Sequence, residues 1–313
     1  MSQAQPDNLS ASIRQRLLNL SRERNEVFNL VLMHYGLERL LYRLAQSGHA
    51  EDFVLKGAML FNAWTEKLHR PTKDLDFLGY GNNSSEHLMA LFQKICQVEV
   101  EPDGLVFDRG TVQVEEIRDN QEYQGQHIRL TAHLGNARIP VQIDVAFGDA
   151  ITPEAKEIEY PTLLNMPPPR ILSYPRESVV SEKLQAMVAL GMPNSRMKDF
   201  FDIWVISRKF PFEGSTLTRA IRATFERRRT QIPKAIPAAL SNEFFTNQEK
   251  VAQWKAFLKR TRLADQEVEF SLVINELRSF LIPPLQAAAS GESFSQLWKK
   301  GGPWSKVKLT PSD

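Results

Sequence analysis

The chain has 313 residues, 42% of them hydrophobic and 24% charged, with a formal net charge of +2 and one cysteine. That composition is ordinary for a globular protein with one large or two modest domains. A disulfide within the chain is excluded, and no global charge calls for nucleic acid or a membrane, so any basic surface must be local. Met1 to Ser10 is polar, with no basic start followed by an apolar core, and no apolar run is long enough to cross a bilayer. The expectation is a cytoplasmic protein without a membrane partner.

Taken in order, residues 1–12 are polar and expected to be loose. From Arg22 to Gln46 the apolar positions Val27, Phe28, Val31, Leu32, Tyr35, Leu40, Leu41 and Leu44 recur at helical spacing, which predicts one long helix ending near Gly48. Phe53-Val54-Leu55 reads as a short strand, Lys56-Gly57 as a turn, and Ala58 to Trp64 as a short helix. A polar loop with Arg70 and Thr72 leads to Asp74-Leu75-Asp76-Phe77-Leu78. In a strand, side chains alternate, so Asp74 and Asp76 share one face while Leu75 and Phe77 point to a core. Two carboxylates side by side repel unless a cation lies between them, and Mg²⁺ with substrate phosphates suits such an oxygen site. A solvated strand end with two surface aspartates is the alternative. A glycine turn after a strand lets a phosphate approach the backbone, and Lys56 and Arg70 add positive charge for it.

Beyond a turn at residues 79–84, Ser84 or Ser85 is expected to cap a helix reaching Cys96. Strands follow at Thr111–Ile117, His127–Leu134 and Arg138–Phe147, the last two joined by a hairpin at Gly135-Asn136. In the third, Val141, Ile143 and Val145 share one face, and Asp144 is a lone carboxylate on the other. It reads either as an outward strand residue or as a third acid for the Asp74/Asp76 face. The Pro-rich stretch 150–175 is expected to be a semi-extended connection and domain boundary. A helix from Arg176 or Ser178 to Gly191 and a second one capped by Ser195 follow, with Lys183 on the first and Arg196, Lys198, Asp199 and Asp202 on the second. Lys183 and Asp202 read as an ordinary interhelical ion pair, as part of a substrate site, or as both. The remainder is expected to be helical, with Arg219, Arg222, Arg227, Arg228 and Arg229 clustered on one helix, and the tail from Gly301 a loose end.

Lys56-Gly57, a short helix, then Arg70-Pro71-Thr72-Lys73-Asp74-Leu75-Asp76-Phe77 resembles the first motif of the AbiEii/AbiGii-type toxin nucleotidyltransferases, within the polymerase-beta-like nucleotidyltransferase superfamily. Ile143-Asp144-Val145-Ala146-Phe147, then Ser181-Glu182-Lys183-Leu184 and Arg196-x-Lys198-Asp199-x-x-Asp202, resemble the later motifs. One departure is Ala58, where the second small residue is usually Gly or Ser. The resemblance spans residues 50–210 and implies an α/β (α+β) fold, with a small mixed sheet and helices over 13–155 followed by a mostly helical domain over 170–300. It implies a nucleoside triphosphate substrate with Mg²⁺ held by Asp74, Asp76 and Asp144, the last assisting deprotonation of the attacking group. It further implies catalytic roles for Lys183 and Asp202, the Lys on the nucleotide phosphates, and nucleotide contacts from Lys56, Gly57, Ala58, Arg70, Thr72, Arg196 and Lys198. The function implied is that of a bacterial toxin with a cognate antitoxin. As in the MenT-type toxins, the implied acceptor is the 3′ end of transfer RNA. A protein hydroxyl as acceptor, or a non-catalytic nucleotide- or partner-binding module, is the alternative.

Overall fold

The computed structural model describes residues 6–65, 72–119, 123–261 and 268–306. Two compact units divide the chain: one comprises residues up to Gly148 together with Ala155–Tyr174, the other Asp149–Glu154 and everything from Pro175.

The first unit contains α1 (Pro6–Glu23), α2 (Phe28–Gln46), β1 (Phe53–Lys56), α3 (Met59–Thr65), β2 (Asp74–Gly79) and α4 (Ser85–Ile95), followed by β3 (Leu105–Asp119), β4 (Tyr123–Leu134), β5 (Ala137–Phe147), β6 (Lys156–Glu159) and β7 (Arg170–Ser173). The strands form one mixed sheet in the order β3-β4-β5-β2-β1-β7-β6. Within it β2 runs parallel to β5 and β1 parallel to β7, while the other pairs are antiparallel. Period-two alternation builds the core: Leu75, Phe77, Ile143 and Val145 are buried on one face, where Phe77 meets Phe53 edge-on. Ser84 caps α4 by accepting from the His87 N–H.

Three sequence expectations change here. The helix expected over 22–46 is α2, which starts only at Phe28, while Arg22 and Glu23 end α1. Asn25 takes the left-handed conformation (φ +53°), and the Glu26 N–H reaches back to the Ser21 carbonyl, which closes α1 before α2 begins. The segment expected to be loose forms the start of α1 from Pro6 onward, which buries Ile13 and Leu17 fully. Within the Pro-rich stretch, β6 and β7 extend the sheet beyond β1, anchored by buried Tyr160, Ile171 and Tyr174. Prolines at 161 and 167–169 mask this pattern in the sequence, because they occupy the loop between the two strands.

A buried polar strip on α2 ties that loop down. Glu38 accepts from the Leu163 N–H, Arg39 donates to the Pro167 carbonyl, and Arg43 makes a two-pronged contact with Asp103 at 2.6 and 3.0 Å.

The second unit contains α5 (Arg176–Leu190), α6 (Met197–Lys209), β8 (Phe212–Glu213), α7 (Gly214–Arg227), α8 (Asn242–Thr246), α9 (Gln248–Arg260) and α10 (Phe270–Ser290), then β9 (Gln296–Trp298) and β10 (Trp304–Lys306). It is mainly helical, as expected. Two details differ. Ser195 does not cap α6; instead the Asn194 side chain accepts the Arg196 N–H. The segment expected to be a loose tail contains β10, which pairs with β9, while Trp304 stacks on Phe280. The arginine cluster of α7 is partly structural: Arg222 donates to the Ala287 and Glu292 carbonyls, and Arg228 pairs with Asp149 at 3.1 Å. No helix among the described residues is long and apolar enough to cross a membrane.

Candidate metal centre

Strand register assembles the site. In β2, Asp74 and Asp76 stand on the face opposite Leu75 and Phe77, and β5 lies parallel beside it with Asp144 directly across from Asp76. One potential ligand atom from each of Asp74, Asp76 and Asp144 lies within 4.8 Å of the others, and all three side chains are half-buried. Three carboxylates so close repel in a partly desolvated setting, and a hard divalent cation with oxygen ligands is the group that relieves this. The donor set therefore fits the expected metal.

The same row continues in both directions. Lys56, the last residue of β1, is the cross-strand partner of Asp76, and its ammonium lies 5.4 Å from the centroid of the Tyr174 ring. On the far side His127 of β4 is the partner of Asp144. The turn after β1 is shaped by Gly57, whose φ is +73°. A Cβ there would lie 1.8 Å from Asp76 Oδ2, so a side chain and the observed carboxylate exclude one another. Ala58 follows, buried at the entry to α3.

Thr72, expected among the nucleotide contacts, is buried and donates its hydroxyl to Asp74 Oδ1 at 2.6 Å. Its carbonyl accepts from His34 Nε2 at 3.0 Å. Burial pushes the His34 pKa down, opposed by that carbonyl. Arg70 lies outside the described residues.

The second group of expected site residues sits in the helical unit. Lys183 Nζ lies 2.6 Å from Asp199 Oδ1 and 2.9 Å from Asp202 Oδ2, and both aspartates are fully buried. Arg196, half exposed, approaches Asp199 Oδ2 at 2.8 Å, and Lys198 is exposed. The ion pair between helices is therefore real, with Asp199 a full member beside Asp202. One ammonium and one guanidinium balance two carboxylates, which is how charges this deeply buried are tolerated.

The family motifs single out Asp202 rather than Asp199, and His127 is in none of them. For Asp199 the signal existed, since i and i+3 on a helix share a face. For His127 it required the β4–β5 register, which the hairpin at Gly135-Asn136 fixes.

A sequence profile described as the nucleotidyl transferase AbiEii toxin of type IV toxin–antitoxin systems matches residues 39–289. Two solved structures from Helicobacter pylori are similar to this chain: a provisionally assigned nucleotidyltransferase and the protein JHP933. Each aligns at 16% identity with a TM-score of 0.46 over 83% of this chain, covering 95% and 92% of the respective relatives. No curated protein sequence matches. With the profile running through most of the chain, from α2 to the end of α10, the protein belongs to the AbiEii nucleotidyl transferase toxin family of type IV toxin–antitoxin systems.

Proposed function

We propose that the protein transfers a nucleoside monophosphate from a nucleoside triphosphate to the 3′ end of transfer RNA, in a Mg²⁺-dependent reaction that stops translation and is countered by a cognate antitoxin. The observation that carries this reading is the convergence of Asp74, Asp76 and Asp144 within 4.8 Å on one sheet face. When bound, Mg²⁺ would neutralise charge on the triphosphate and polarise the reacting phosphoryl group.

The chain supplies the rest. Asp74, Asp76 and Asp144 hold the cation. Gly57 leaves the room that the Asp76 carboxylate fills, and Lys56 offers positive charge beside Asp76. In the helical unit Lys183 is the phosphate-holding cation, oriented by Asp199 and Asp202, with Arg196 and Lys198 as further positive charge. The acceptor hydroxyl oxygen attacks the α-phosphorus, the bond to the bridging oxygen breaks, and pyrophosphate leaves with that oxygen's electron pair. Asp144 takes the hydroxyl proton.

Two features favour a second reading, a binding module without turnover: Ala58 stands where the residue after Gly57 is usually Gly or Ser, and Lys183 is already held by two carboxylates. One experiment separates the readings. Purified protein is incubated with Mg²⁺, total bacterial RNA and each α-labelled triphosphate, with Asp76→Asn as control. Label on RNA of transfer-RNA size, absent in the variant, supports the proposal. Label on protein alone moves the acceptor to a side chain. Silence in both with triphosphate still bound supports the binding module and sinks the enzyme.

A further inference from the structure

We infer that His127 is a positioning residue for the metal centre, fixing the Asp144 carboxylate through its ring Nδ1–H; this inference rests on the reading of the aspartate triad as a cation site. Nothing in the family motifs present in this chain includes His127, and the inference comes from the register of the sheet.

Four adjacent strands set Lys56, Asp76, Asp144 and His127 in one row across the sheet. Residues directly opposite in a sheet share a face and approach closely. Nδ1 of His127 lies 2.5 Å from Asp144 Oδ1, with the two side chains 27% and 35% exposed. A carboxylate can only accept, so the ring nitrogen donates. His127 has a second acid opposite it, Glu115 of β3, but the neighbouring Arg129 pairs with Glu115 across the same two strands. The ring is thereby left to Asp144.

The arrangement mirrors the one at Asp74, where the Thr72 hydroxyl grips Oδ1. At each of these two acids, one oxygen is engaged by a neighbouring hydrogen-bond donor, and the pair of acids flanks Asp76. A hydrogen bond to one oxygen fixes the carboxylate plane and thus the direction in which the other oxygen faces a cation. Outer partners of this kind set metal affinity by about 10- to 100-fold. The function assigned to His127 follows from this donor geometry alone, and a donor at the Nδ1 position is all that it requires.

The test is Mn²⁺ binding by the full-length protein without nucleotide, read from the electron paramagnetic resonance signal of free Mn²⁺. His127→Ala and His127→Phe both remove the donor, the second while keeping the ring's bulk. In His127→Asn the amide nitrogen occupies the place of Nδ1 and donates in its stead. Asp76→Asn reports on the triad. The expected result is wild-type binding abolished in Asp76→Asn, weakened about tenfold or more in the Ala and Phe variants, and restored toward wild type in Asn. In labelling reactions the Mg²⁺ concentration giving half-maximal rate should rise in the same order. Wild-type affinity in His127→Ala or His127→Phe, with Asp76→Asn still defective, overturns the role of His127 and leaves the triad standing. An Asn variant no better than Phe overturns the hydrogen bond as the cause. Wild-type protein that binds no Mn²⁺ overturns the metal centre itself, and His127's role with it.

Discussion

At the scale of single residues, the proposed metal centre depends on what is missing as much as on what is present. Gly57 combines a left-handed backbone with a carboxylate pressed against its α-carbon: a Cβ would sit 1.8 Å from Asp76 Oδ2. Gly57→Ala must therefore strain the turn and displace Asp76 together. The expected outcome is a loss of about 1–3 kcal/mol in urea unfolding and a disproportionate fall in Mn²⁺ affinity, because the displaced group is a proposed ligand. If the variant binds Mn²⁺ as tightly as wild type, Asp76 is not held where its ligand role requires. Thr72 offers the complementary case. Its side chain is buried, so Thr72→Val preserves shape while deleting the hydroxyl that donates to Asp74. Mn²⁺ affinity should drop about tenfold in the Val variant and recover in Thr72→Ser. Equal affinity in Val and wild type would show that Asp74 needs no such support.

At the scale of elements, the sequence was legible where one period governs. The alternation in Asp74 to Leu78 and in Arg138 to Phe147 puts three acids on one face, and the structure pairs those strands in register, Asp76 against Asp144. The helices α5, α6, α9 and α10 likewise follow their apolar spacing. Legibility ended where a single residue or a distant partner decides. The break at Asn25 falls in the polar run Arg22 to Glu26, ahead of the apolar pattern that begins at Val27, and the left-handed φ of that one residue carries no apolar signal. β6 and β7 are four residues each and gain their place from pairing, β7 with β1 and β6 with β7, which no local propensity announces. The break makes a prediction of its own. Asn25→Gly should leave stability unchanged or slightly raised, since glycine adopts φ +53° without strain. Asn25→Val should lose about 1–2 kcal/mol in urea unfolding. A harmless Val variant would mean that the junction of α1 and α2 is not fixed by this residue.

At the scale of the whole molecule, the pH dependence of stability has a group to which it can be traced. Glu38 lies almost wholly buried on α2, and loss of solvation raises its pKa to about 7, against the lowering effects of the Leu163 N–H and Arg39. In the unfolded chain it titrates near the ordinary glutamate value of 4.5. Between those values the folded state binds the extra proton, so this group contributes most to stability on the acid side and its contribution is lost as pH rises through about 7. His34 acts in the opposite sense. Its folded pKa is below the ordinary 6.5, so the unfolded chain takes up the proton first and stability falls as pH drops below that value. A wild-type profile alone mixes the two, and the informative quantity is the difference between wild type and Glu38→Gln. Gln still offers an oxygen to the Leu163 N–H and does not titrate. The difference in unfolding free energy should shift against wild type as pH climbs from 4.5 to 7, by up to about 3 kcal/mol if the full separation of the two pKa values is expressed. A difference that stays flat across that window would mean that Glu38 keeps an ordinary carboxylate pKa in the folded protein, and that Arg39 and the Leu163 amide fully compensate its burial.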